Sequence, residues 1–346
     1  MKMKTLITAM ITVSLFLSFC EKNPFKGDEE LKTGKQVFVL NGNARTVSVI
    51  DPNSGDVTND VFTTGDIPNK ILFNSKFIIV INSGTNSITI ANRNNFKEVE
   101  NIILGENLNP WSGYVYYDSI LFVTNYADNS FSVINLNSKQ SITKVPCGRN
   151  PEGIYVSDNR IYITTVNFNL NDFSYGNGYL YVYSVDDYSL IDSVEVGINP
   201  QDIEIGKDNK LHILCTGDYS STFGSITVVN PCTLKVDTVL NIGGSPGSFC
   251  VCDDGVAYLA AGGWEYSGDE NGYIYSYNTY TYEIYHNDKN PILTHRGIMD
   301  IAVDSEGVIY AACFEEDYVD IIKNGTVSSY LVGDGPTSLV VIEEEK

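Results

Sequence analysis

The chain has 346 residues and a formal net charge of −21, with 43 Asp and Glu against 22 Lys and Arg. A chain this acidic, with no basic patch, argues against a nucleic-acid backbone as partner, because such binding rests on Lys and Arg releasing counterions from phosphate. Its 23 Tyr, 15 Phe and 29 Gly favour strands joined by turns, and its length suits two average domains or one repeat-built body.

At the start, Lys2 and Lys4 precede an apolar run over 6–19 that holds no acid and ends at Cys20. The run is short for a membrane span and no small-x-small cleavage site follows it, so it reads as an export signal. Leu17-Ser18-Phe19-Cys20 resembles a bacterial lipobox, with Phe19 where a small residue is usual. That resemblance implies a lipoprotein signal peptide over 1–20, lipidation of Cys20 and a place on the bacterial cell envelope, anchored to the outer membrane at its periplasmic face or at the cell surface. An uncleaved N-terminal anchor is the alternative. Loss of Lys2 and Lys4 with the signal would take the net charge from −21 to −23. Residues 21–35, with Pro24, Gly27, Gly34 and the run Asp28-Glu29-Glu30, read as a flexible tether.

Over 36–346 one unit recurs. Its anchor pairs Gly65 with Pro68, Gly105 with Pro110, Gly148 with Pro151, Gly197 with Pro200, Gly243 with Pro246 and Gly333 with Pro336. The prolines are spaced 42, 41, 49, 46 and then 90 residues, so the last interval hides a degenerate anchor near Ile298. After the anchor comes an alternating strand (Ile71 and Phe73, Ile154 and Val156, Ile203 and Ile205), then a turn rich in Asp, Asn and Gly. A second strand carries a large residue at Phe38, Ile79, Phe122, Tyr162, His212, Tyr258 and Tyr310. Three positions later it carries a smaller one, at Asn41, Asn82, Asn125, Thr165, Cys215, Ala261 and Cys313. Third and fourth strands follow. Four short antiparallel strands at this period predict an all-β, seven-bladed β-propeller. Because the repeat begins on a second strand and ends on a first strand over 337–342, the C-terminal strand is expected to complete the N-terminal blade and close the ring.

The wording of the repeat resembles the YVTN-repeat β-propeller family, most closely at Leu121-Phe122-Val123-Thr124-Asn125, at Ser132-Val133-Ile134-Asn135 and at Val47-Ser48-Val49-Ile50-Asp51. The resemblance implies architecture and says little about chemistry.

Function is therefore sought where the repeat is broken. Long connections over 166–177, 217–224 and 262–272 are expected on the anchor face of blades four to six. They carry Phe168, Phe173, Tyr175, Tyr219, Trp264 and Tyr266. Such aromatics either form a binding rim or pack on one another to support the loops. Anchor positions Trp111, Glu152, Asp202 and Asp300, with Arg149, His295 and Arg296 just upstream, are expected around the mouth of the central channel. There they could recognise a small polar or charged ligand, or simply line a wet channel with ion pairs. The six cysteines after Cys20 show no metal or haem spacing and are expected as buried free thiols. No cofactor and no metal are implied, and a monomer is expected. The favoured function is non-catalytic binding of an envelope protein, a glycan or a small ligand. The alternative is a metal-assisted lyase or lactonase at the channel mouth, with His295 and Asp300 as its acid–base pair.

Overall fold

A computed structural model describes residues 34–343. The expected signal segment with Cys20, and the tether up to residue 33, lie outside the described residues. The second strands set the architecture. Gln36–Asn41, Phe77–Asn82, Ile120–Asn125 and Arg160–Thr165 are each buried at every residue after the first. Side chains alternate between the faces of a strand, so a strand buried throughout needs cover on both faces. Tyr162 packs in a cluster with Ile203 and Ile213 of the next repeat, whereas its neighbours Ile161 and Ile163 pack with Phe131 and Val133 of the previous one.

Seven antiparallel blade sheets result, six of four strands and one of five, all in simple up-and-down order. Their inner strands are Pro68–Phe73, Pro110–Tyr116, Pro151–Ser157, Pro200–Ile205, Ser248–Val251, Ile298–Val303 and Pro336–Ile342. Blade six departs from the pattern: its outer edge is split into Ile284–His286 and Ile292–Thr294, both paired with Gly272–Asn278. The ring closes as the register of the chain ends requires. Pro336–Ile342 pairs with Gln36–Asn41, placing Gln36 opposite Ile342 and Val39 opposite Leu339. Seven apolar clusters fill the seven interfaces between blades. The one across the closure joins Val37, Val39 and Leu339 to Tyr310 and Val319.

The recurring small residue of the second strand has a specific task in the early blades. Asn41 Nδ2 donates to Ser48 Oγ at 2.8 Å, Asn82 Nδ2 to Thr89 Oγ1 at 2.9 Å, and Asn125 Nδ2 to Ser130 and Ser132 Oγ at 2.9 Å, so one buried amide ties the second strand to the third. In blade five Cys215 holds this position and meets Thr227 at 3.7 Å. The residue before the anchor proline also repeats in every blade but the sixth, where Ser245 precedes Pro246. Ile67, Asn109, Asn150, Asn199 and Gly335 all have φ between 49° and 66°, and Gly297, at 73°, marks the degenerate anchor before Ile298. Asn and Gly adopt this left-handed conformation readily, and Ile67 is the β-branched exception.

His212, in the aromatic slot of its strand, is fully buried between Tyr277 Oη at 2.9 Å and Asp208 Oδ1 at 3.1 Å. Asn324 and Gly325, at φ 51° and 74°, form a tight hairpin turn. All six described cysteines are free; Cys215, Cys252 and Cys313 are buried. Cys147 and Cys250 are only partly covered and Cys232 is exposed, so the expectation of buried thiols fails for these three. Cys232 sits in the turn after Asn230, where backbone and not packing selects the residue.

Lys35 is held at the seam. Its Nζ lies 2.5 Å from the buried Asp304 carboxylate and 3.2 Å from Glu343, joining the start of the first strand, the end of the last and blade seven. Burial disfavours the Asp304 charge, but Lys35, Val308 N and Tyr310 outweigh it and hold the carboxyl below its ordinary value. A carboxyl depressed on folding contributes stability above its ordinary pKa of 3.8 and loses it as pH falls through the folded value. Lys35→Met is expected to cost about 2 kcal/mol at pH 7 in denaturant unfolding, with the difference from wild type shrinking at pH 3.

Candidate functional site

The anchors are built so that a side chain is turned inward. In six of the seven inner strands the ladder slips just after the anchor residue, between Pro68 and Lys70, Pro110 and Gly113, Pro151 and Ile154, Pro200 and Asp202, and Ile298 and Asp300, and beside Pro336. A bulge of this kind leaves one residue unpaired and re-aims its side chain. The residues thus freed, including Asn69, Trp111, Glu152, Gln201, Met299 and Thr337, border a funnel of about 540 Å³ at the channel mouth. Hydroxyls of neighbouring blades fasten the bulges: Ser83 Oγ donates to Pro110 O at 2.6 Å and Thr124 Oγ1 to Glu152 O at 2.8 Å.

The floor of the funnel is an ion pair in a hydroxyl cradle. Lys70 Nζ lies 3.1 Å from Asp300 Oδ2, and Asp300 also accepts hydrogen bonds from Ser248 Oγ at 2.6 Å, Ser338 Oγ at 2.6 Å and Leu339 N at 3.1 Å. Beside it, Asp202 accepts from Ile203 N at 3.0 Å and Phe249 N at 3.3 Å. Burial opposes the charge on Lys70, yet Asp300, Asp202 and Glu204 together hold its pKa above the usual lysine value. Burial pushes Asp202 up to about 6, against the pull of Lys70. Glu204 stands two residues beyond Asp202, on the same face by strand alternation. Burial and Asp202 push it up to about 8.

Glu152 differs from all of these. It borders the funnel with 5% of its surface exposed, and its Oε2 is buried with no hydrogen-bond partner. Burial, then the Asp202 charge, lift its pKa to about 8.

An aromatic wall rises over Glu152. Blade four's long loop is a small hairpin, Phe168–Asn169 against Ser174–Tyr175. Its rings run from Phe173 to Phe168 at 6.3 Å, to Tyr175 at 4.9 Å, and across to blade five's Tyr219 at 6.2 Å. Gln201 Nε2 donates to Tyr219 Oη at 3.4 Å. On the other side Trp111 packs on Tyr126 with ring centres 5.6 Å apart. Trp264 of blade six folds back over its own backbone: a Cβ on Gly262 (φ 70°) would sit 2.5 Å from the indole Nε1, so only glycine admits the ring there.

Of the sequence-predicted residues, Trp111, Glu152, Tyr175, Asp202, Tyr219, Trp264 and Asp300 border the funnel. Phe168 backs Tyr175, while Phe173 and Tyr266 are 75% and 83% exposed and lie outside it. These rings support one another, and Tyr175, Tyr219 and Trp264 also border the funnel. Arg149 is exposed and does not border the funnel. Arg296 is engaged by Glu316 at 3.3 Å and Glu265 at 3.8 Å. The pairing of His295 with Asp300 does not form: His295 Nδ1 meets Asp320 at 2.9 Å and its ring stacks on Tyr318 at 4.3 Å, while Asp300 is bound to Lys70. Among the described residues no three His, Cys, Asp or Glu side chains converge as a metal site. Tyr126 and Glu204 went unrecognised in the sequence. Tyr126 shares its repeat position with Gly42, Ser83, Val166, Thr216, Gly262 and Phe314, so size alone did not single it out.

No protein-family model and no curated protein matches the chain. Among solved structures it is similar to a candidate 6-phosphogluconolactonase from Bacteroides fragilis, with TM-score 0.68 and 9% identity, covering 90% of this chain and 99% of that one. It is also similar to virginiamycin B lyase from Staphylococcus aureus, with TM-score 0.60 and 16% identity over 78% of this chain and 87% of that one. Citrobacter koseri AztD gives TM-score 0.61 and 11% identity over 91% and 99%. Identities this low show the fold and carry no activity across.

A carboxyl raised on folding binds its proton more tightly in the native state, so it weakens the fold as pH climbs from its ordinary 4.5 towards about 8. A tenfold change in acid strength is worth about 1.4 kcal/mol. Glu152→Gln is expected to raise the melting temperature at pH 9 and to leave it nearly unchanged at pH 5, as read by thermal unfolding at both values.

Proposed function

We propose that this chain is a non-catalytic binding propeller of the YVTN-repeat type, a monomer carried on the bacterial envelope by a lipid on Cys20, which takes a small ligand in the funnel over Glu152. The observation that supports binding is the orphaned Glu152 oxygen beside an open, aromatic-walled funnel. Buried polar atoms are nearly always partnered, and an unpartnered one bordering a cavity is a place prepared for something that arrives. Against the metal-assisted alternative, His295 is spent on Asp320, and Lys70 neutralises the carboxylate that a metal would need. The lipobox-like Leu17-Ser18-Phe19-Cys20 supports an exported, membrane-held protein.

Two measurements address this reading. Native mass spectrometry of protein purified from its own envelope is expected to show a bound mass that is absent from the Tyr219→Ala/Trp264→Ala variant; a mass retained by both, or found in neither, overturns funnel binding. Cys20→Ala is expected to abolish incorporation of labelled palmitate and to release the chain from the membrane fraction; continued labelling overturns the anchor.

A further inference from the structure

Resting on the funnel-binding reading, we infer that the ligand is a small organic cation whose ammonium group is received by Glu152 between the rings of Trp111, Tyr126, Tyr175 and Tyr219.

Four observations converge on this class. Glu152 contributes an unpartnered carboxyl oxygen, and no described basic side chain is bonded to it. The one lysine bordering the funnel among the described residues, Lys70, is held by Asp300 with Ser248 and Ser338 around it, so no free cation there stands ready to receive an anion. The walls are electron-rich rings brought from three blades, with Trp111 on Tyr126 at 5.6 Å and Tyr175 on Tyr219 at 6.2 Å. A ring face attracts a cation through its quadrupole, most strongly where water is excluded, and aromatic cages closed by a carboxylate receive alkylammonium groups on that basis. Finally, the chain carries −21, which raises the local concentration of cations near an acidic concavity. At about 540 Å³ the funnel has room for the head of an amine-bearing metabolite and part of its chain.

Binding would be coupled to a proton. Glu152 faces Asp202 from blade five and the hydroxyls of Tyr126, Tyr175 and Tyr219, with the exposed Arg149 acting on Tyr126 from the anchor loop. With no cation against it, burial and the Asp202 charge favour the protonated form of Glu152. An arriving ammonium displaces that proton to solvent and leaves a carboxylate–ammonium pair, so charge balances without any further group.

The test is calorimetric titration of the full-length chain in detergent with tetramethylammonium, butylammonium, butyrate and butanol. Saturable binding of the two ammonium ions is expected, with at least a tenfold loss in Glu152→Gln and in Tyr126→Leu, each shown by thermal melting to be folded. Tetramethylammonium has no proton of its own. Its affinity is expected to fall by up to about tenfold per pH unit below the Glu152 value, and in Glu152→Gln to be independent of pH. Binding of butyrate or butanol with no ammonium binding overturns the cation and leaves the funnel as a ligand site. Silence from all four probes overturns the cation, and the mass-spectrometric comparison above then decides on the funnel itself. Ammonium binding unaltered in a folded Glu152→Gln variant overturns the role of Glu152.

Discussion

A four-stranded blade with a wholly buried second strand has two apolar faces, and nothing in the chain except another blade can cover them. That requirement governs the molecule. It turns a repeat into a ring, since any open end would expose a face such as that of Val37 and Val39 or of Tyr310 and Val319. It explains why the last strand belongs to the first blade, so that the seam is held by a full ladder from Gln36 to Asn41 instead of by side-chain packing alone. It also explains the order of chemistry across the radius. Packing is decided between blades, where large side chains interdigitate, and the innermost residues, which face only the axis, are released for other uses.

What the axis does with that freedom is electrostatic. Seven inner strands bring their residues to a central space lined largely by polar and charged side chains. The upper level carries Lys70, Asp202 and Asp300 with serines 112, 248 and 338, and one cation among several acids leaves the level short of positive charge. Asp300 takes the lysine and three hydrogen bonds, while Asp202 has backbone amides. Glu152 has neither; its Oε2 is one of three buried side-chain oxygens without a partner among the described residues, with Asn41 Oδ1 and Asn125 Oδ1, and of the three residues Glu152 alone borders the funnel. Departures of this kind gather where a protein does its work, because a site complete without its ligand would have no affinity to offer.

The fold was legible because the repeat is written in the residues that make it. The large slot from Phe38 to Tyr310 and the small slot from Asn41 to Cys313 fall into register in every blade, and even the degenerate anchor before Ile298 keeps its left-handed residue, Gly297. The funnel was legible in part. Glu152, Asp202 and Asp300 follow anchors, so repeat position alone located them. Tyr126 was hidden because it lies one residue beyond the second strand Ile120–Asn125, in a turn position where the repeats share no residue type. His295 was misread because sequence proximity to an anchor says nothing about Asp320, which comes from the third strand of its own sheet and claims the imidazole. Distances along the chain specify which blade a residue is in; which neighbour satisfies its hydrogen bonds is settled across strands, where a single sequence carries no direct signal.

The clamp at Lys35 has a mechanical side. The first described strand lies between two others, paired with Thr46–Asp51 on one edge and Pro336–Ile342 on the other, and Lys35 sits at its very entrance, bound to Asp304 and Glu343. Tension arriving from the N-terminal side therefore meets the ion pairs first. It is then passed along the strand axis into two ladders at once, loading their hydrogen bonds in parallel shear and not peeling them one at a time. A ring whose seam is sewn by a central strand meets a pull on its first described residues with the joint strength of both neighbours.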